Sequence, residues 1–385
     1  MPLPLAELFF IVPSALHFFS AQDAYNLGRL LDPLIDSSIN VHSKLHGFRM
    51  VGNMLPPIAG RFGQRGFENS IYPEFSRFFH PCEIVHDEAT GGYFVSDTGN
   101  SAIRKISRNG AVSTLAGGVR GGMSSDGIGS FARFHSPHGL SLDNKGRKLY
   151  VSDTDSHTIR CVSLVSRMVE TIAGQPGKRG STCGKGKSSL FSSPHGLALC
   201  TSTSRLYVAD SMNGTIRCLD LELGEVSTLR LDFGCLNPPR LFHPRGLALR
   251  GANELYVCDM GNHRIVKVCL QKSVVCLVAG GMARGPHGEI VPALRDGPSH
   301  SALFNHPYGV ALCPSKRQLF VVDFSSHALR VVDLYSKTVS TLFSRPSLFS
   351  GPSPFSLDFP QGLCHAWDGG VLICDTVSNC IRRVL

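Results

Sequence analysis

Residues 243–281 read HPRGLALRGANELYVCDMGNHRIVKVCLQKSVVCLVAGG, a series of short apolar or alternating segments separated by Gly and polar residues. Segments of this kind, bounded by turn residues, are typical of β-strands. The stretch predicts four strands, a to d in chain order, at Gly246–Arg250, Leu255–Cys258, Arg264–Leu270 and Val274–Ala279. Four short strands at a recurring period indicate one blade of a β-propeller, which buries its faces only by stacking on further copies.

A tetrad at the start of strand c adds a more specific signal. Asn262-His263-Arg264-Ile265 follows closely after Asp259, the residue that ends the apolar strand b. In this position the tetrad resembles the NHL-repeat family of β-propellers. The resemblance implies a fold built from such repeats, and it is far less specific for function.

The rest of the chain repeats the same unit. A Pro opens strand a six times, and five of these stand in Pro-x-Gly, whereas the first has Glu83 in place of Gly. An Asp closes strand b six times. The prolines are Pro81, Pro137, Pro194, Pro244, Pro307 and Pro360, and the aspartates are Asp97, Asp153, Asp210, Asp259, Asp323 and Asp375. We therefore predict an all-β fold over residues 49–385, a closed six-bladed β-propeller with four antiparallel strands per blade.

The two ends of this region are complementary. Residues 50–60 match strand d of the other repeats but have no strands a to c before them, and the last repeat stops at strand c, Ile381–Leu385. We predict that the N-terminal strand completes the last blade and removes an open sheet edge. Pro56 and Pro57 fit an outermost strand, with a bulge or short pairing, because an edge strand tolerates proline.

Residues 1–48 are predicted to form an N-terminal extension. Residues 1–21 are apolar, but no Lys or Arg precedes Arg29, and the run is too short to span a bilayer. A secretory signal within 1–21 remains open as an alternative. Ser20–Asp23 resembles a capping box for a short accessory helix that ends near Leu31, before Pro33.

Cysteine usage bears on the compartment. The chain has 13 cysteines and no CxxC pair. Cys258 and Cys374 stand where other repeats carry Ser96, Ala209 or Val322, so cysteine behaves as an interchangeable small residue. This pattern favours a reducing compartment, and we predict a cytoplasmic protein.

The aspartates that close the b strands have a structural interpretation. A short carboxylate at a strand end is suited to cap the backbone N–H groups of the turn that follows. In most repeats an Arg stands seven residues later, such as Arg104 after Asp97, and can pair with the Asp across the hairpin. We therefore assign these residues to the scaffold.

The residue inside each Pro-x-Gly, or its equivalent, is a better candidate for a binding site. Equivalent positions at the start of the innermost strand converge at one mouth of a propeller's central channel. All six residues are polar or reactive, namely Cys82, His138, His195, Arg245, Tyr308 and Gln361. A convergent polar cluster on an apolar scaffold is typical of a small binding site. A hydrated channel rim is the alternative.

A basic loop is the second candidate. Its cations, Lys178, Arg179, Lys185 and Lys187, stand among Gly and Ser. Such runs are usually solvated loops. Because some NHL propellers bind RNA on a positively charged face, the resemblance implies RNA or another polyanion as an alternative ligand, in keeping with the net charge of +9. No aromatic residue for base stacking lies between Gln175 and Leu190.

The leading functional prediction is a non-catalytic scaffold that binds unidentified protein partners through its loops and channel rim. We expect a monomer with no cofactor, no metal and no membrane span.

Secreted propeller lyases similar to NHL proteins use channel histidines on zinc, which leaves a metal-dependent lyase or lactonase-like enzyme as a further alternative. His138, His195 and Cys82 come from consecutive blades, but no third equivalent His is present.

Overall fold

Six antiparallel sheets of four or five strands form the blades, each with the order a-b-c-d. The computed structural model describes residues 57–118, 122–281, 283–284, 290–291, 293–313, 315, 317–344, 356–366 and 369–384. The predicted extension 1–48, with its helix and candidate signal, lies outside them. Within the described ranges, no helix has the length and apolar character needed to cross a membrane.

The predicted strands are confirmed. The a strands are Pro81–Asp87, Pro137–Asp143, Pro194–Cys200, Pro244–Arg250, Pro307–Cys313 and Pro360–His365. The b strands are Gly92–Asp97, Lys148–Asp153, Arg205–Asp210, Glu254–Asp259, Gln318–Asp323 and Val371–Asp375. The c strands are Ala102–Ile106, Thr158–Ser163, Thr215–Asp220, Arg264–Cys269, Ala328–Asp333 and Cys380–Val384. The d strands are Val112–Gly117, Met168–Ala173, Glu225–Thr228, Val274–Ala279, Thr338–Ser344 and, for the last blade, Pro57–Ala59.

Short elements decorate this framework. Two-residue strands pair outside strand d in blades 2, 3 and 5, at Gly127–Ile128, Gly184–Lys185 and Gly297–Pro298. A separate hairpin joins Ala283–Arg284 to Ile290–Val291. The 3-10 turns are Pro73–Phe75, Thr98–Asn100, Gly129–Phe131, Thr154–Ser156, Gly186–Ser188, Ser211–Asn213, Met260–Asn262 and Phe324–Ser326.

The hydrophobic core lies between neighbouring blades. Tyr207 of blade 3 packs in one cluster with Val257 and Val266 of blade 4, and the two valines are fully buried. Burying such a side chain contributes roughly 1.5–3 kcal/mol, so each blade depends on the next for stability. All 13 cysteines fall within the described residues and are free thiols.

The ring closes as predicted, by pairing Pro57–Ala59 with Cys380–Val384. The register shifts between Pro57 and Ala59, which is the irregularity expected where proline enters an edge strand. Ala59 is fully buried in a cluster that also holds residues of blades 1 and 6. The guanidinium of Arg382 lies 5.0 Å from the ring centroid of Phe62, which anchors the chain beyond the strand.

Glycine in the Pro-x-Gly motif is required by close packing of the innermost strands. A Cβ at Gly139 would lie 2.1 Å from the carbonyl oxygen of His195 in the next blade, and a Cβ at Gly309 would lie 2.2 Å from that of Gln361. Side chains reinforce the joint, since the hydroxyl of Thr154 donates to the carbonyl of Pro194 at 2.6 Å. The a strands therefore meet backbone to backbone.

The aspartates at the ends of the b strands are all fully buried. Asp97 accepts from Arg104 at 2.7 Å, as predicted, and in blade 4 Arg264 takes this role five residues after Asp259. The predicted cap on the following turn is wrong, because those turns have no side-chain cap. The free carboxylate oxygen faces the start of strand a instead, where Oδ1 of Asp97 accepts the N–H of Phe79 at 2.7 Å.

The tetrad Asn262–Ile265 connects blade 4 to blade 5. Asn262 donates to Asp259 at 2.8 Å, within its own blade. His263 adopts the left-handed conformation with φ 52°, and its Nδ1 accepts the N–H of His306, at the start of the next blade, at 3.1 Å. In the last blade Asn379 takes the same role toward His80 at 3.0 Å. In four blades, an acceptor at this position therefore ties the blade to the next one.

Ring closure predicts a difference between two truncations. Deleting residues 1–61 removes Pro57–Ala59 and exposes the edge of Cys380–Val384, so we expect aggregation or a fall in Tm of at least ~5 °C. Deleting residues 1–45 keeps the closing strand and should leave Tm close to that of the full chain. Thermal unfolding monitored by circular dichroism measures both, and equal behaviour of the two variants would contradict the closure.

The tetrad predicts a pH effect. Burial, with His306 nearby, lowers the pKa of His263 from 6.5 to about 4 in the folded chain. The unfolded chain therefore binds a proton that the folded chain does not as the pH falls from 6.5 to 4, and stability is lost in that window. In His263→Asn, the acceptor seen at Asn379 is retained without a titrating group. Urea unfolding between pH 7 and pH 4 should show that His263→Asn loses less free energy of unfolding than the wild type as the pH falls. The difference should be at most about 1.4 kcal/mol per pH unit.

The control for that measurement is His300→Asn, at an exposed position. Its pH dependence should match that of the wild type. A His263→Asn variant that loses stability with the same pH dependence as the wild type would contradict the role assigned to this imidazole.

Candidate functional site

Five of the six residues singled out inside the Pro-x-Gly motifs lie together in one layer across the central channel. Cys82, His138, His195, Arg245 and Tyr308 surround a space of about 10 Å³, which holds at most one water. The sixth, Gln361, lies in a larger cavity on the side of the b–c turns, where Cys82 and His138 also contribute. We call the five residues the channel layer.

Contacts between blades hold the channel layer closed. The guanidinium of Arg245 donates to Nε2 of His195, and its Cζ lies 5.3 Å from the ring centroid of Tyr308. Nδ1 of His195 lies 3.0 Å from the carbonyl of Ser193 and carries the proton of the neutral ring, because Nε2 accepts from Arg245. The rings of His138 and His195 lie with centroids 4.7 Å apart and their planes inclined by 42°. These contacts close the channel at this level, and a binding role for the channel layer stays a prediction.

Burial sets the ionisation of the layer. It lowers the pKa of His138 to about 4 and that of His195 well below its usual value, with Arg245 adding to both effects. Burial also raises the pKa of the Cys82 thiol to about 12 and raises that of Tyr308. At neutral pH the layer therefore carries a single charge, on Arg245.

The channel layer separates two cavities. The mouth cavity, about 480 Å³, lies on the side of the b–c turns and is lined by Phe324, Phe359, Val377, Gln361 and His138 among others. The rings of Phe324 and Phe359 lie 5.0 Å apart between centroids and form an aromatic wall. Oε1 of Gln361 and Nδ1 of His138 are buried without a hydrogen-bond partner among the described residues. The mouth cavity thus combines an apolar wall with two lining residues that carry unpaired polar atoms.

The second cavity, the lower channel, has a volume of about 350 Å³ and runs between the a strands on the other side of the layer. Glu83 lines it at the layer, and His86 and His365 line it further along the strands. In the sequence, Glu83 breaks the Pro-x-Gly pattern of strand a. That break is the signal in the sequence for a carboxyl group in the channel.

The possible metal ligands among the described residues are not grouped as they are in a metal centre. In the described part of the chain, no three His, Cys, Asp or Glu side chains are grouped so as to hold a metal ion. The thiol of Cys82 donates to the carbonyl of His80 at 3.3 Å, and His195 is engaged by Arg245 and Ser193. Cys82 and His195 therefore have protein partners.

The four cations of the basic loop are exposed but do not form one patch by contact. Lys178 belongs to a turn next to the b–c turn of blade 2, where the N–H of Gly177 donates to Ser156 at 3.0 Å. Lys185 lies in the outer strand that pairs with Glu225–Thr228, and Lys187 lies 3.7 Å from the carboxylate of Asp126. Arg179 bridges to Phe191 through its backbone. Polyanion binding by these residues stays a prediction.

The chain is similar in sequence to proteins that contain NHL repeats. Residues 134–162, which carry strands a to c of blade 2, match the family described as NHL repeat. Human NHL repeat-containing protein 2 is 28% identical over 84% of this chain and 48% of its own length. The protein of the same name from Gallus gallus is 34% identical over 83% of this chain and 48% of its own length. The chain thus spans about half the length of these curated relatives.

A solved structure supports the fold alone. The crystal structure of an auxiliary nutrient binding protein from Bacteroides thetaiotaomicron superimposes with a TM-score of 0.64 at 12% sequence identity. The match covers 86% of this chain and 76% of the other. At so low an identity, the likeness concerns the arrangement of blades and carries no inference about ligands.

Proposed function

This chain belongs to the NHL-repeat family of β-propellers, and we propose that it is an interaction module that holds a protein partner through a side chain inserted into the mouth cavity. The observation that carries the proposal is the mouth cavity itself. It offers about 480 Å³ of space with an aromatic wall, and two of its lining residues, Gln361 and His138, carry buried polar atoms that lack hydrogen bonds among the described residues. Unused polar atoms in a preformed cavity favour a ligand that supplies donors.

The position of the mouth cavity favours a macromolecular partner. Thr98, Phe324 and Val377 belong to the b–c connections, so the cavity opens on the end of the propeller that carries these turns. The long d-to-a connections leave from the same end, and loops on a rigid scaffold are common sites of recognition. A partner that inserts one side chain into the cavity would also contact the surrounding loops.

The chemistry of the lining indicates which side chain would fit. The rings of Phe324 and Phe359 suit an aromatic or guanidinium group, which gains both apolar burial and contact with a π face. The carboxamide oxygen of Gln361 is an acceptor and suits the N–H groups of the same side chain. Trp and Arg satisfy both requirements and are enriched among residues that dominate binding at protein interfaces. We propose one of these two as the anchor.

Two matched substitutions test the proposal. Val377 lines the mouth cavity and is 40% exposed, whereas Val165 lies in the c–d turn at the opposite end of blade 2 and is 83% exposed. Val377→Arg places a charged side chain over the cavity, and Val165→Arg makes the same change away from it. Neither position is buried, so both variants should keep the wild-type Tm within a few degrees.

The measurement is quantitative affinity capture with wild type and both variants, followed by titration with the purified partner. We expect a partner that Val377→Arg loses and Val165→Arg keeps, with Kd weakened by roughly tenfold or more. If both variants capture the same proteins with the same affinity as the wild type, the mouth cavity is not the binding site. If nuclease removes the bound material, the ligand is a nucleic acid and the proposal fails.

A further inference from the structure

Cys183 occupies a position that recurs in four blades of the described chain, in the connection that leads into strand a. The side chain at this position contacts the buried arginine of strand c and a threonine of strand d that stands 45 residues later in the sequence. The four sets are Asn69 with Arg104 and Thr114, Asp126 with Arg160 and Thr171, Cys183 with Arg217 and Thr228, and Asp296 with Arg330 and Thr341.

Blades 2 and 5 show that this position holds an anion. In blade 2, the carboxylate of Asp126 accepts from the guanidinium of Arg160 at 3.1 Å and from both the N–H and the hydroxyl of Thr171 at 2.8 Å. In blade 5, the carboxylate of Asp296 accepts from the same three kinds of donor at 2.9, 2.9 and 2.7 Å. Hydrogen bonds from a guanidinium to a carboxylate are among the stronger ones in proteins. The arginine and the threonine therefore form a site for an anionic side chain.

Blade 3 has the same two residues around a thiol. The fully buried Arg217 donates to the sulfur of Cys183 at 3.7 Å, and the hydroxyl of Thr228 lies 3.6 Å from that sulfur. The other terminal nitrogen of Arg217 donates to Asp210 at 3.0 Å. The hydroxyl of Thr228, and after it the charge of Arg217, lower the pKa of the Cys183 thiol, which is exposed to solvent. A thiol is a weak acceptor, so the donors of blade 3 are poorly used.

We propose that Cys183 is a site of oxidation by hydrogen peroxide, and that its sulfinate takes the place that the carboxylates of Asp126 and Asp296 have in their blades. An accessible thiolate beside a cation is the form of cysteine that reacts with peroxide. A sulfinate has the negative charge and the two oxygens of a carboxylate, whereas the thiol has neither. The same donors therefore favour both the reacting thiolate and the product.

The oxidation has two steps. The thiolate sulfur attacks one peroxide oxygen, so that an S–O bond forms and the O–O bond breaks. The departing hydroxide takes a proton from solvent, and sulfur has lost two electrons to become a sulfenic acid. After losing its proton, the sulfenate attacks a second peroxide in the same way, and the sulfinic acid that forms gives its proton to the departing hydroxide. Each step consumes one peroxide and releases one water.

The first test is the rate of oxidation of each exposed thiol in the full chain. Sulfenic acid is trapped with dimedone in one series, sulfinate is followed without dimedone in another, and both are assigned by peptide mass spectrometry. We expect Cys183 to react at least about threefold faster than Cys235 and Cys276, which are also exposed, and to proceed to sulfinate. Oxidation no faster than at these two thiols would overturn the proposal, as would a disulfide at Cys183 in place of the sulfinate.

A matched pair of variants tests the role of the threonine. Thr228→Val removes the hydroxyl beside the sulfur, so the oxidation of Cys183 should slow by at least about twofold. Thr341→Val makes the same change at the equivalent position of blade 5 and should leave that rate unchanged. Neither threonine is fully buried, so both variants should fold. An unchanged rate in Thr228→Val, or an equal decrease in both variants, would contradict the assignment.

The place of the product is tested with Cys183→Asp and Cys183→Ala. In blades 2 and 5 the equivalent threonine donates its N–H to the carboxylate. Amide hydrogen exchange at Thr228 should therefore be at least about threefold slower in Cys183→Asp than in Cys183→Ala, and slower in peroxide-treated than in untreated wild type. The pair Cys276→Asp and Cys276→Ala is the control and should show no difference at Thr228. Equal exchange in the two Cys183 variants would overturn the proposal, and the mouth cavity plays no part in these measurements.

Discussion

The buried ion pair between the last residue of strand b and an arginine of strand c is the interaction on which the rest of each blade depends. Arg104, with its partner Asp97, is fully buried. A buried pair of this kind is often no better than an apolar replacement, but removing one partner costs about 3–5 kcal/mol, since a charge is then left alone. The pair therefore makes the blade intolerant of losing either residue.

The arginine also carries the connection between blades. The guanidinium of Arg104 donates to the carbonyls of Arg77 and Glu68, in the loop before strand a, at 3.0 and 2.8 Å. Its Cζ lies 5.0 Å from the ring centroid of Phe78. Four more blades repeat the stacking of a buried arginine on a phenylalanine, at Arg160, Arg217, Arg330 and Arg382. Long loops that look variable in sequence are thus fixed at one end by a charge inside the sheet.

The fold could be predicted from the sequence because equivalent residues recur and because a lone strand d matches a missing one. The convergence of the Pro-x-Gly residues followed from the same equivalence. The sequence could not predict which of these side chains contact each other and close the channel, and which border a cavity, because that depends on their rotamers. Arg245 reaches His195 in the preceding blade, while Gln361 stays at the mouth. The sequence also could not show why a residue other than Gly is unusual at position 83. The structure shows it, because a Cβ at the equivalent glycines meets the backbone of the next blade.

Closure of the ring by Pro57–Ala59 has a consequence for the order of events during synthesis. The hydroxyl of Thr376 in blade 6 donates to the carbonyl of Pro81 in blade 1 at 2.8 Å, across 295 residues of sequence. A ribosome delivers the early strand long before its partner, so the early strand waits while the intervening blades stack one after another. Contacts between such distant residues form slowly. Until the last c strand emerges, the growing chain has two unpaired sheet edges. The chain is therefore most prone to aggregation in the interval before these two edges pair.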